Sequence, residues 1–426
     1  MQYKKFFTIS KQKGITNIQI TETSSNNINI DTRNGKLSDY DISDTTDYSI
    51  KAEYNGKTVK LNTEYLDDSI IDLIKIKSDY TDSNYQDMYL TNTTNNNHVK
   101  LEKLSNKSEV LNRLCTADDF RIKNKYIKEL NLYFEEENKV VRIVNNNGVD
   151  IATSSHLYEL SVEFVLENKT TITNYKTYIV TDYNSLDIEK SIEELYAESV
   201  KMLKKDSLET KKYDIVLSKS VSSNILSSII PMISSANIRQ RISCLQDKID
   251  KKVFSSRINI VEDPTNKKYP GYSKFDNEGT KTYKKQIIEN GVLKTYLYDI
   301  KEAKEKGLES TGNYYGGITT RNMYIVPGNL SRKEILQKLN NGLYITDYMG
   351  AMSTSIDTNT GNISLQIFGL IVENGKIKNG FEPSVMTTSI FELLSNVEEI
   401  GNSIDFSELS SASPELLIRN ISIVAS

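Results

Sequence analysis

Short β-branched and aromatic runs recur along the chain, set apart by Asn-Gly pairs at 34–35, 55–56, 147–148, 290–291, 341–342, 374–375 and 379–380. Asn-Gly suits the two positive-φ positions of a type I′ turn, so these pairs predict antiparallel hairpins. The clearest are KKQIIENGVLKTYLYD (284–299) and ISLQIFGLIVENGKI (363–377). SIKAEYNGKTVKL (49–61) reads as another, and Asp31 to Leu37 carries the same turn chemistry. From Val140 the pattern stays strand-like to Tyr183. Helical spacing predicts a helix from about Asp67 and a long amphipathic one from about Leu186 to Lys205, with Ile188, Ile192, Leu195, Tyr196 and Leu203 on one side. Ser331 with Glu334 and Ser389 with Glu392 fit capping boxes that open short helices at 332–340 and 390–399. The charged, loop-like KKDSLETKKYD (204–214) marks a boundary. We therefore expect an α+β fold of antiparallel β-sheets with packed helices. An N-terminal α+β domain covers 1–208, divisible near 100–115, and a β-rich C-terminal domain covers 209–426.

One stretch breaks the alternation of apolar and charged faces. From Ser220 to Ile238 there is no ionisable side chain. Val221, Ile225, Ile229, Met232, Ile233 and Ala236 recur at helical spacing, whereas the opposite face carries serines where a surface helix would show Lys and Glu. A membrane span is excluded, because no apolar run approaches the ~20 residues required and Pro231 interrupts this one.

Composition narrows the class. The 426 residues suffice for two or three packed domains. The N-terminus MQYKKFFTISKQ lacks the apolar core of a signal peptide, and Cys115 and Cys244 are too few for a disulfide framework, so we expect a cytoplasmic protein. Lys+Arg 53 against Asp+Glu 57, a net charge of −4, argues against a dedicated nucleic-acid binder. The Asn-rich tracts at 24–34 and 92–97 read as surface loops and codon bias.

Familiar catalytic signals are missing. The two histidines, His98 in an Asn-rich loop and His156 in a predicted strand, have no Cys or carboxylate at ligand spacing. No nucleophile elbow, P-loop or dinucleotide fingerprint occurs; STGNYYGG (310–317) matches neither phosphate loop. Asp263, Asp276 and Glu278 could act as acid, base or metal ligands, but Asp-Pro and Asp…Gly sequences also build turns generically. No cofactor is called for.

The same C-terminal stretch carries a family resemblance. INIVEDPTNKKYPGYSKFDNEGTKTYKKQIIENGVLKTYLYD, STGN (310–313), GLYIT (342–346), NTGNISLQIFGLIVENGKI (359–377) and IGNSIDFSELSSASPELLIRNISI resemble the TldD/PmbA family. So do VNNNGVDIATSS (144–155) and DTRNGKLSDYD (31–41), in collinear order over nearly the whole chain. Members are cytoplasmic prokaryotic proteins, some called modulators of DNA gyrase. They include a zinc protease chain, TldD, and its sister PmbA or TldE, which form a heterodimer that cleaves unfolded peptides.

The resemblance implies a non-catalytic PmbA/TldE-like role. The catalytic chain carries an HExxxH helix shortly before the strand that here reads INIVEDP, and a Cys near its C-terminus. Here SSNILSSIIPMISSANI occupies the helix position, and Ser403 to Leu416 holds no Cys. No catalytic or metal residue is therefore assigned. Ser227, Ser228, Ser234 and Ser235 become candidates for lining a peptide groove, since serines can bond to a passing peptide where a lone charge would be costly to desolvate. An ordinary core helix is the competing reading. The implied partners are a TldD-like catalytic sister and an unfolded peptide, with a homodimer when alone and neither membrane nor direct nucleic-acid contact. A stand-alone peptide-binding or regulatory protein, and a peptidase with an unrecognised site, are the alternatives. The apolar strands at 286–298 and 364–372 need covering by a helix layer or a second chain.

Overall fold

The computed structural model describes residues 2–81, 99–349 and 356–425. Its first half is one twisted antiparallel sheet built from β1 (Ile15–Arg33), β2 (Lys36–Tyr54), β3 (Lys57–Thr63), β4 (Ile127–Asn145), β5 (Asp150–Asn168) and β6 (Thr170–Val180), in the order β3-β2-β1-β4-β5-β6. Four of these strands are 19 residues long, about 60 Å at ~3.3 Å per residue. Period two decides what each face meets. Even-numbered Ile20, Ile28, Ile30, Ile50, Leu132, Phe134, Leu160, Val162 and Phe164 are buried in two apolar clusters. Helices α1 (Gln2–Gln12) and α2 (Ser69–Asp79) cover one end of that face. Helix α3 (Lys107–Ala117), the short α4 (Asp119–Lys123) and α5 (Ile188–Met202) cover the other. The odd-numbered Ile143 and Ile151 face the opposite way and pack with Val149 on Phe275 of the second half.

Two expectations change here. The tract at 24–34 is not a loop: it lies in the central strand β1, where Ser24 and Ser25 pair by hydroxyl with Thr46 and Thr45 at 3.0 and 3.1 Å. Cross-strand hydroxyl pairing lets a polar sequence hold a strand that has neighbours on both sides. The strand pattern also starts before Val140, at Ile127, because Leu130, Leu132 and Phe134 already alternate inward.

The second half contains two sheets. Strands β7 (Lys205–Asp206) and β8 (Lys211–Leu217) open it, so the charged linker at 204–214 is partly strand. β7 adds to an edge by backbone pairing with β15, and its charged Asp206 also accepts from Asn379 Nδ2 at 2.9 Å. The chain continues through α6 (Lys219–Ser227), α7 (Ile229–Ile233), α8 (Ser235–Gln240), β9 (Ile260–Glu262), β10 (Lys285–Glu289), β11 (Val292–Leu293), α9 (Ile300–Glu305) and β12 (Met323–Ile325). Then come α10 (Arg332–Leu339), β13 (Gly342–Met349), β14 (Asn362–Glu373), β15 (Lys376–Phe381), β16 (Ser384–Ser389), α11 (Ile390–Ser395), β17 (Val397–Ile400), β18 (Ser411–Ala412) and β19 (Leu416–Ala425). The sheet β11-β10-β9-β12-β18 has five strands. The other runs β13-β8-β19-β16-β14-β15-β7, and because β13 also pairs with β14 it closes on itself. Ile363, Leu365 and Ile367 of β14, together with Ile287, Ile288 and Leu297, are buried in the chain's own core, so no second chain is needed to cover them.

Local chemistry explains the elements. At 34–35, 55–56, 290–291 and 374–375 both Asn and Gly have positive φ, as the type I′ turn requires. Helix α10 starts on a complete Ser331–Glu334 capping box. Ser389 caps α11 through the Glu392 N–H, but the helix stops at Ser395 rather than 399, since Val397 to Ile400 pair with β19 instead.

Candidate functional site

The charge-free stretch is not one helix. Pro231 has no N–H to offer the Ser227 carbonyl, so α6 ends at Ser227 and α7 continues after a bend. At Ser234 the backbone turns extended (φ −68°, ψ 124°) to pair with Leu297: Leu297 N donates to Ile233 O and Ser235 N donates to Leu297 O, both at 2.9 Å.

The four serines therefore fall in two places. Ser227 and Ser228 are half-buried at the end of α6, and Ser228 Oγ donates back to Ile225 O. Ser234 and Ser235 are buried against the Leu297 segment, and Ser235 Oγ has no hydrogen-bond partner among the described residues.

Helix α6 instead faces β18, serine to serine. Ser222 and Ser413 hydroxyls meet at 2.6 Å, those of Ser227 and Ser411 at 2.5 Å, and Ser413 N donates to Ser223 Oγ at 2.8 Å. Hydrogen bonds across a buried seam remove the need for charge and would penalise one placed there. At its open end Ser227 Oγ also reaches Glu408 (3.4 Å), and Tyr348 stands beside Asn224 and Glu408; burial pushes the Tyr348 hydroxyl up to about 12. This end offers hydroxyl, amide and carboxylate groups able to bond a peptide backbone.

A second polar centre lies in the loops after β9. Glu262 is fully buried; its Oε2 accepts from Lys285 Nζ at 2.6 Å, and its Oε1 from Asn313 Nδ2 (2.7 Å) and Arg321 N (2.9 Å). VEDP and STGN carry no catalytic signature of their own, and only their convergence in space reveals the cluster. Asp263 accepts from Thr265 N and Oγ1, the turn role anticipated. Asp276 is buried and accepts from Glu278 N, Thr280 N and Tyr314 N. Burial, reinforced by Glu278, pushes its carboxyl up to about 7 against those three donors. Glu278 accepts from Ile300 N at the start of α9, and burial raises it too.

His156 bonds to Glu136 and Glu102, which belong to neither centre. In β5, its Nε2 bonds buried Glu136 at 2.7 Å and its Nδ1 bonds Glu102 at 3.1 Å; the Glu136 bond raises its pKa. His98 lies outside the described residues. Cys115 and Cys244 are both free thiols, and burial pushes Cys244 up to about 11.

The model of the PmbA/TldA metallopeptidase C-terminal domain matches residues 210–425, just over half of the chain. The chain belongs to the TldD/PmbA family. Among its relatives, a metalloprotease PmbA homologue from Buchnera aphidicola is 28% identical over 283 residues, 62% of each chain. Alignments to the first curated TldD/PmbA relatives thus span about three fifths of their length. Two crystal structures share the fold over nearly their full length. A Thermotoga maritima protein named for modulation of a DNA gyrase has TM-score 0.87 at 22% identity, covering 99% of each chain. TldE from Thermococcus kodakarensis has TM-score 0.86 at 18% identity, covering 100% of each.

The TldD/PmbA name implies a metal, and the residues at α6 and β18 do not fit one. Zinc takes His, Cys or carboxylate donors, whereas these positions present neutral hydroxyls already bonded to one another. Among the described residues no group of three or more His, Cys, Asp or Glu is placed to hold a metal ion. No helix among them is long and apolar enough to cross a membrane.

Proposed function

We propose that the chain is a non-catalytic, PmbA/TldE-like subunit of a cytoplasmic TldD-type metalloprotease, pairing with a catalytic sister and forming part of the chamber that receives unfolded peptides or leader peptides. The observation that carries this reading is the α6–β18 seam, where Ser222–Ser413 and Ser227–Ser411 pairs stand in the region that the family resemblance assigns to the metal helix and its Cys. On this reading the seam supplies neither metal ligands nor an activated nucleophile, and the sister chain supplies the catalyst for amide hydrolysis. The half-buried end of α6, with Ser227, Asn224, Tyr348 and Glu408, supplies groups that suit backbone recognition, consistent with selectivity for extended peptides.

The test is hydrolysis of an unfolded peptide by the chain alone, by a TldD-like sister alone and by the two co-expressed. Cleavage should require the sister and be greatest with both. Chelator-sensitive cleavage by the isolated chain would refute the proposal. So would a sister whose activity and mass in solution are unchanged by this chain.

A further inference from the structure

Between the odd face of β4–β5 and the loops of the second half lies a cavity of about 80 Å³, bounded by Glu137, Lys139, Thr153, Tyr272, Tyr315 and Arg321. Its charge does not balance. Glu137 and Lys139 form an ion pair with each other. Arg321 uses its backbone N–H on Glu262 and lays its guanidinium over the Tyr315 ring at 4.7 Å, yet no carboxylate pairs with that guanidinium among the described residues. Burial lowers its pKa, the mark of a desolvated cation lacking full compensation.

Two hydroxyls share this condition. Thr153 Oγ1 and the Tyr315 hydroxyl are both buried without a hydrogen-bond partner among the described residues. Buried polar atoms are nearly always satisfied, so a forked cation and two orphan hydroxyls at one cavity point to an absent acceptor.

We propose that this cavity is a binding subsite for one carboxylate carrying a short apolar tail, with Arg321 as its cationic partner and Thr153 and Tyr315 as hydroxyl donors. A single unbalanced positive charge matches a monoanion. A dianion would meet Glu137 without a second free cation. The planar guanidinium fits the two oxygens of a carboxylate. Leu157, Phe275 and Leu409 on the wall accommodate the tail. The subsite does not depend on whether a sister chain exists.

Isothermal titration of the full chain with butyrate, butyramide and inorganic phosphate tests it. Butyrate should bind saturably, and butyramide and Arg321→Gln should each weaken binding at least about tenfold, the scale of one charge-assisted contact. Thr153→Val should cost several-fold. If Arg321→Gln does not fold, Arg321→Lys keeps the charge without the fork and should retain only weak butyrate binding. A short apolar peptide with a free C-terminus and its amidated twin separate the sources: preference for the free peptide over both its twin and butyrate assigns a peptide terminus, and equal twins assign a small free acid. The proposal is overturned if butyrate and butyramide bind alike or phosphate binds more tightly than butyrate. Unchanged affinity in Arg321→Gln, or no saturable binding of butyrate or free peptide, would overturn it as well.

Discussion

Replacing Lys285 by Met is the sharpest test of what holds the second half together. Glu262 is fully buried and the Lys285 side chain is 4% exposed, with Nζ 2.6 Å from Oε2. Met fills most of the lysine volume, so packing is nearly conserved and the loss is electrostatic. A buried charge left without its partner costs about 3–5 kcal/mol. Asn313 and the Arg321 N–H still bond Oε1, which places the expected loss near the lower end of that range. For a folding unit of this size that corresponds to a melting point lower by roughly 6–12 °C. The assay is urea unfolding followed by circular dichroism, on the wild type, Lys285→Met, Glu262→Gln and the double variant. Gln keeps an oxygen for Asn313 and Arg321 but carries no charge, so the double variant should recover about 2 kcal/mol relative to Lys285→Met. A cost below about 1 kcal/mol for Lys285→Met, or strict additivity in the double variant, would show that the ion pair is not what stabilises the cluster.

Other outcomes follow from single positions. Asp276, raised from 3.8 to about 7, binds its proton more tightly folded than unfolded, so its contribution is present below about pH 4 and lost as pH rises toward 7; Asp276→Asn should flatten that part of the stability–pH profile measured by thermal melts. Ser223→Ala leaves the buried Ser413 N–H unpaired and should cost about 1–3 kcal/mol in denaturant unfolding. Gly291 has φ +77° and an added Cβ would lie 2.3 Å from the Phe254 carbonyl oxygen, so Gly291→Ala should lower the melting point markedly, whereas Gly56→Ala, with open space around it, should lower it much less. Elemental analysis of the purified chain should find no stoichiometric zinc; one tightly held ion per chain would contradict the reading of α6.

Much of the fold was legible because its signals are local. Asn-Gly turns, the Ser331 capping box and the alternation of Leu130, Leu132 and Phe134 depend on residues a few positions apart. Three kinds of feature were not legible. The polar tract of β1 is strand because Thr45 and Thr46, twenty residues on, supply hydroxyl partners. Beyond the break at Pro231, the serine stretch breaks again at Ser234 because Leu297, more than sixty residues later, takes its backbone groups at Ile233 and Ser235. The Glu262 cluster joins residues 59 positions apart and the Arg321 cavity draws on both halves of the chain, so their burial and pairing could not be read from spacing. The family resemblance singled out the serine stretch, and only the contacts with Ser411 and Ser413 show what its hydroxyls face.

The closed sheet of the second half has a consequence for the order of synthesis. β8 enters near the start of that half, yet its antiparallel neighbour is β19, which ends at Ala425, and β16 also pairs with β19. The ring therefore cannot shut until β19 has left the ribosomal tunnel, long after β8 has emerged. Until then β8 and β16 each present an unpaired backbone edge to the surroundings, a hazard for mispairing with neighbouring nascent chains. Closure must await β19, and a truncation that removes it would take out the stave that joins β8 to β16.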